Sequence, residues 1–339
     1  MQCPKCKKNL PNTAHFCVAC DAAPRAKPKP PVWLWALGGA GIMLVLALLS
    51  FGASGGFGPR GNTQIIRQTV IARETIVAPQ TVVAPQGGQI EQRGQDNAPM
   101  MFVPAGEFLM GSADNDIKTS NNETPQHTVT LDAFWIDQHE VTNGQYKMCV
   151  DAGVCSAPRS MRSYSRSSYY GAPEFNDYPV IYVSWDNAAQ YCGWVGKALP
   201  TEAQWEKAAR GAAGRIYPWG NRRDASRVNF CDVSCPFGYK DASANDGWAD
   251  TAPVGSYSNG PSPYGVYDMA GNVWEWVADW YDRDYYKHSP RENPKGPSLG
   301  VDRVLRGGAW DSAIMTTSVR RIVTTIGHHN YSFGFRCAQ

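Results

Sequence analysis

Residues 264–280, Y-G-V-Y-D-M-A-G-N-V-W-E-W-V-A-D-W, set acidic side chains among aromatic ones around a Gly-Asn step. Asp268 and Glu275 offer hard anionic oxygens. A loop folded between them would turn the Gly271 and Val273 carbonyls inward, the oxygen-rich surrounding that Ca²⁺ prefers. A turn in an aromatic core is the competing reading of the same residues. A second metal chemistry stands at the N-terminus, where Cys3-Pro-Lys-Cys6 and Cys17-Val-Ala-Cys20 form two C-x₂-C pairs. That spacing lets four thiolates close a tetrahedron around Zn²⁺, and a saturated tetrahedron leaves no position for substrate, so the expected role is structural. A pair of disulfides is the alternative.

The elements that would carry these groups differ along the chain. A stretch as short as residues 1–23 cannot bury a core, so zinc would supply most of its folding energy. It resembles the zinc ribbons at the N-termini of many bacterial membrane proteins. Residues 24–31 are a basic, proline-rich linker, and residues 32–51 hold no charge. A helix of that length spans a bilayer core of about 30 Å. Arg25, Lys27 and Lys29 precede it and Arg60 alone follows closely, which predicts a cytoplasmic N-terminus and a single-pass anchor in the cell membrane. A cleaved signal peptide is the rival, opposed by the long leading segment and the missing A-x-A site. Residues 52–99 are expected to form an extended stalk. Within it, residues 63–86 read as hexads, T-Q-I-I-R-Q through T-V-V-A-P-Q, in which Pro79 and Pro85 exclude a central strand.

The remaining domain, residues 100–339, is expected to be α+β with little regular structure. Residues 128–136 alternate like one strand. Thr142 and Gln145 form a T-x-x-Q capping box opening a helix to about Gly153. A second helix is expected from Asn187 to Val195, and Thr201 and Gln204 open a third that stops at Gly211. So few periodic elements require other staples, such as disulfides and ions. The net charge of +2 and pI near 8.0 show no clustered basic surface, so no nucleic acid is expected as a partner.

Residues 179–211, then Y-P-W-G-N, Y-D-M-A-G-N-V-W-E-W, R-G-G-A-W and the terminal G-F-R-C, resemble the formylglycine-generating enzyme family, also called the sulfatase-modifying factor family. The resemblance covers residues 100–339 and implies a C-type-lectin-like fold with structural calcium. Carried over residue by residue, it assigns one calcium site to Asp268, Gly271, Val273 and Glu275, with Asp268 where some relatives have Asn. A second would use Asn229 and Asp246 with the carbonyls of Phe230 and Trp248. It also implies a disulfide from Cys192 to Cys337.

Catalytic members bind copper through two cysteines shortly after the G-G-[SA]-[WY] motif. Here Ser312 and Thr317 stand at the matching positions, and neither hydroxyl is a soft ligand for Cu(I), so no copper is expected. Ten cysteines divide into four within the first twenty residues and six after residue 148. Cys149 and Cys155 bracket one short loop and Cys231 and Cys235 another, although six cysteines allow about fifteen connectivities. The expected function is therefore a noncatalytic module on the outer side of the membrane that binds a protein or glycan. Trp310, Asp311, Ser312, Arg321, His328 and Tyr331 are its expected ligand-facing residues. Of the adjacent pair Arg320 and Arg321, at most one would face a ligand. The alternatives are a metal-dependent oxidoreductase working through other ligands, and a cytosolic partner for the ribbon with the outer domain as sensor.

Overall fold

The computed structural model describes residues 87–113, 122–313 and 315–339, all within one unit, Ala78–Gln339. The expected zinc ribbon, basic linker, membrane span and the stalk before residue 87 lie outside the described residues. No helix among the described residues is long and apolar enough to cross a membrane.

Three short helices begin where side chains cap them. Thr142, Ser184 and Thr201 each accept the amide three residues on, while Gln145, Asn187 and Gln204 reach back to the cap amide. These reciprocal bonds satisfy amides that a first helical turn leaves without partners. They open α1 (Asn143–Asp151), α2 (Trp185–Trp194) and α3 (Glu202–Arg210), and α3 stops at Gly211, where φ is +68°.

The strands form three small sheets. The first orders β1 (Ile90–Arg93), β2 (Ala98–Val103) and β5 (Phe134–Asp137). The second pairs β3 (Gly106–Met110) with β4 (His127–Leu131). The third has the order β8 (Arg321–Thr325), β7 (Asp302–Arg306), β6 (Trp274–Trp280) and β9 (Phe333–Phe335). Two expectations are corrected here. The folded domain starts before residue 100, because Ile90–Arg93 pairs antiparallel with Ala98–Val103. The single strand expected over residues 128–136 is two strands in different sheets. Between them the amide of Asp132 leaves the ladder for the Asn293 side chain at 2.9 Å.

β6 runs antiparallel to β7 and parallel to β9, and most of it is buried. A strand covered on both faces does not alternate apolar with polar residues, and W-E-W-V-A-D-W is apolar at every position but two, Glu275 and Asp279. Its two acids must then find partners in the interior. Glu275 meets Arg336 at 2.6 Å, and Asp279 accepts the amide of Glu202 at 2.7 Å. Trp205 from α3 and Trp276 from β6 are fully buried. Cys192 of α2 is bonded to Cys337, across 145 residues of chain. By the chain-entropy account, closing a loop of that size contributes about 5 kcal/mol. Cys149–Cys155 and Cys231–Cys235 are the other two disulfides, so all six described cysteines are crosslinked.

Candidate functional site

After β7 the chain turns through Gly307 and Gly308, at φ of +97° and +85°, a region that side chains with a Cβ adopt only under strain. A Cβ on Gly308 would lie 2.3 Å from Thr316, so the turn is pressed against the segment that follows it. Arg306, at the end of β7, pins that segment from below. Its guanidinium meets Glu206 of α3 at 2.6 Å and donates to the Val319 and Ser318 carbonyls at 2.7 and 3.0 Å. A buried arginine needs such acceptors, and although burial by itself would lower its pKa, the charges of Glu206 and Glu202 outweigh that and hold it raised.

Ser312 follows. Its hydroxyl accepts the amide of Ala309 at 3.0 Å, and its own amide donates back to the Ala309 carbonyl at 2.9 Å. Its carbonyl accepts the amide of Cys231 at 3.1 Å, tying it to the Cys231–Cys235 loop. Ser312 and Thr317 line one cavity of about 1030 Å³. Its walls mix apolar groups from Ile216, Met315 and Ile322 with the charged side chains of Arg223, Asp241 and Arg320.

The expected ligand-facing residues separate. Asp311 and Ser312 line the large cavity. Trp310 is 1% exposed and packs with Tyr331, Phe237 and Tyr164 at 5.5, 5.9 and 5.5 Å between ring centres. It supports the wall from within. Arg321 does not belong to the set. It is 2% exposed, paired with Glu202 at 2.7 Å and stacked over the Tyr286 ring, because the first residue of β8 points inward. Its neighbour Arg320 reaches the cavity and pairs with Glu123 at 3.2 Å. His328 lies in the loop after β8, where its Nδ1 meets the Thr324 hydroxyl at 2.7 Å. Tyr331 lines a different cavity, of about 530 Å³.

Around the expected calcium residues the interior is rich in carboxylates. Asp268, at φ +62°, accepts the Gly255 amide at 2.7 Å, and burial pushes its carboxyl up to about 6. Glu275 gives both oxygens to Arg336, at 2.6 and 2.8 Å, and one also to the Trp205 indole at 2.8 Å. Glu140, missed in the sequence, accepts the Asn272 side chain at 2.8 Å and the Val273 amide at 3.2 Å. Three buried acids therefore face the single arginine Arg336, and burial with Asp268 and Glu275 raises Glu140. That charge imbalance fits a dication, for which Asp268 and Glu275 are the expected side-chain ligands, Glu275 being the one that also holds Arg336 and Trp205.

At the other expected site, Asn229 donates its side-chain amide to the Asp250 carbonyl and to Asn272, at 3.0 and 3.1 Å. Its buried Oδ1 has no hydrogen-bond partner. Asp246 accepts the Phe230 and Trp248 amides at 3.0 and 2.8 Å. Desolvation, with Asp232 adding to it, pushes Asp246 up to about 7. An unpartnered side-chain carbonyl on Asn229 and the carboxylate of Asp246, whose main-chain partner Phe230 is the residue after Asn229, are oxygen donors of the kind that fit calcium. Among the described residues no three His, Cys, Asp or Glu side chains converge as a ligand group, so main-chain oxygens would complete either shell. The copper pair fares differently: hydroxyls at Ser312 and Thr317 do not fit Cu(I).

Short capped helices, small sheets and a disulfide-held turn over a cavity define an α+β domain of the formylglycine-generating type. The profile described as sulfatase-modifying factor enzyme 1-like domain matches residues 86–339, and the chain belongs to that family. The formylglycine-generating enzyme of Streptomyces coelicolor is 36% identical over 279 residues, covering 70% of this chain and 87% of that one. Serine/threonine-protein kinase pkn1 of Chlamydia caviae is 37% identical over 259 residues, 71% of this chain. The chain spans only 38% of that relative's length. Among solved structures, PvdO from Pseudomonas aeruginosa superposes with a TM-score of 0.62 and 28% identity, over 75% of this chain and 99% of that one.

Proposed function

We propose that the domain is a noncatalytic binding module, carried outside the cell on a single-pass membrane anchor with a zinc ribbon on the cytoplasmic side. One observation carries this reading: every described cysteine is in a disulfide, and the positions matching the copper pair hold Ser312 and Thr317. Thiolate is the ligand that selects Cu(I), and the described domain has none to offer. What that place offers instead is a cavity of about 1030 Å³, with apolar walls and the charges of Arg223, Asp241 and Arg320. Mixed walls of this kind suit a protein or glycan ligand. Calcium at one or both acidic sites, with the crosslinks, would hold the cavity in shape, so little ordering cost falls on binding. The 36% identity to the Streptomyces coelicolor enzyme favours a second reading, oxidation through metal ligands other than cysteine.

The two separate in one experiment on the full chain. Anaerobic titration with Cu(I) is followed by oxygen uptake in the presence of a cysteine-containing peptide. The expected result is neither stoichiometric copper in the outer domain nor turnover. One copper bound in that domain with oxygen consumed would sink the binding-module reading.

A further inference from the structure

The cavity of about 530 Å³ that includes Tyr331 opens at the loop of residues 160–167 and shares no lining residue with the larger one. Its walls are Arg162, Arg166, Tyr164, Tyr182, Tyr331 and the four serines of that loop, with no acidic side chain among them. The loop is built on Asp250, which is fully buried. One Asp250 oxygen accepts the Ser163 and Ser165 hydroxyls at 2.6 and 2.7 Å and the Ser165 amide at 3.0 Å. The other is ion-paired with Arg166. Asp250 thus balances Arg166 and fixes the loop. Arg162 is left exposed, and it has no ion pair among the described residues. A guanidinium so placed presents a planar fork that matches the geometry of an oxyanion.

Two further features point to a ligand. Tyr164 is 46% exposed, yet its ring is wedged against Phe237, Tyr331 and Trp310 at 5.0, 5.2 and 5.5 Å. An aromatic face held firm toward solvent is a stacking platform that loses little freedom on binding. Tyr182 has φ of +58°, an unusual conformation for a bulky side chain that costs of order 1–3 kcal/mol. Its amide donates to Asn330 at 2.9 Å and its carbonyl accepts from Arg159 at 3.1 Å, which fixes the conformation on both sides. Strain of this kind persists where the surroundings impose it, and here the residue imposed upon lines the cavity.

We propose that this cavity binds a saccharide bearing an oxyanion. Arg162 holds the anion, Tyr164 lies under the sugar ring, and the loop serines and tyrosine hydroxyls meet its hydroxyl groups. The proposal does not depend on whether the larger cavity is catalytic. Its test is calorimetric titration of the full chain with three oligosaccharides of equal length, one sulfated, one carrying uronic-acid carboxylates and one neutral. At least one charged probe is expected to bind about tenfold or more tightly than the neutral one, and the two charged probes identify which oxyanion is preferred. Arg162→Ala and Tyr164→Ala are each expected to weaken that binding by roughly tenfold or more. Arg283→Ala, which removes an exposed arginine outside both cavities, should leave it unchanged. Arg162→Ala truncates an exposed side chain and so decides the matter if Tyr164→Ala unfolds. Failure of both charged probes to bind, equal binding of the neutral probe, unchanged binding by Arg162→Ala, or a loss in Arg283→Ala equal to that in Arg162→Ala overturns the proposal.

Discussion

The amide of Cys231 donates to the carbonyl of Ser312 across 3.1 Å, so a disulfide-closed loop and the turn bearing Ser312 hold one another. Cys231, Cys235 and Trp310 also pack as one buried cluster. The double variant Cys231→Ser, Cys235→Ser is therefore expected to lose about 2 kcal/mol from the short loop the crosslink closes. It should also speed hydrogen exchange at the Ala309 amide, which the Ser312 hydroxyl accepts. Chemical denaturation and exchange read by mass spectrometry measure the two effects. Unchanged exchange at Ala309 would show that the turn stands without the disulfide loop.

Gly308 tests the turn from its other side. At φ +85°, with Thr316 only 2.3 Å from the position of an added Cβ, Gly308→Ala combines backbone strain with overlap. The expected loss is roughly 2–4 kcal/mol, seen as a lower denaturation midpoint. Gly153, which also has positive φ but open space around it, should lose about 1 kcal/mol on the same change. Equal losses at the two glycines would show that the contact with Thr316 adds nothing.

Two neighbours in sequence should tilt the pH profile in opposite directions. Burial pushes Asp137 up to about 6, the nearby Lys197 opposing it only in part. Between pH 4 and 6 the folded state then keeps a proton that the unfolded chain releases, so Asp137's contribution falls as pH rises through that range. Burial, with Arg336 adding to it, lowers His139 to about 4. From pH 6.5 down to about 4 the unfolded chain takes up a proton that folded His139 refuses, so its contribution is lost as pH falls. Asp137→Asn and His139→Gln should thus change the slope of stability against pH with opposite signs, each by no more than about 3 kcal/mol across the window. Denaturant titrations at half-unit steps from pH 4 to 7 measure it. A slope change of the same sign in both variants would contradict the burial assigned to one of them.

What could be read from the chain ahead of the structure was whatever local chemistry controls. Thr142 with Gln145 and Thr201 with Gln204 marked two helix starts because a capping box is complete within four residues. Cys149–Cys155 and Cys231–Cys235 were legible from spacing, whereas Cys192–Cys337 came only with the family resemblance. Ile90–Arg93 was hidden because three of its four residues are exposed, so the edge strand has no apolar alternation to betray it. Arg321 looked like a surface charge because nothing near it in sequence announces Glu202, its partner across 119 residues. Glu140, Asp250 and Arg306 were missed for the same reason, since their partners are assembled only by the fold. The recurrence of Arg-Ser pairs over residues 159–167 was the one available signal for the second cavity.

Restoring sulfur to the larger cavity tests the reading of its lost metal. Ser312 and Thr317 line the same cavity, both half-buried, and the Ser312 hydroxyl makes one hydrogen bond, to the Ala309 amide. A cysteine sulfur is a weak acceptor for that amide, so Ser312→Cys costs about 1 kcal/mol and leaves the fold standing. The double variant Ser312→Cys, Thr317→Cys then presents two thiols without taking any from the three disulfides. It is expected to bind Cu(I) at one per chain under anaerobic titration, while the natural sequence and either single variant bind it far more weakly, because two thiolates hold a soft cation where one does not. Comparing the described domain's copper stoichiometry between the double variant and the natural sequence also subtracts any binding by the N-terminal cysteines. If the double variant binds no more copper than the natural sequence, then the cavity has diverged beyond its two hydroxyls, and the substitution of sulfur by oxygen is not what removed the metal.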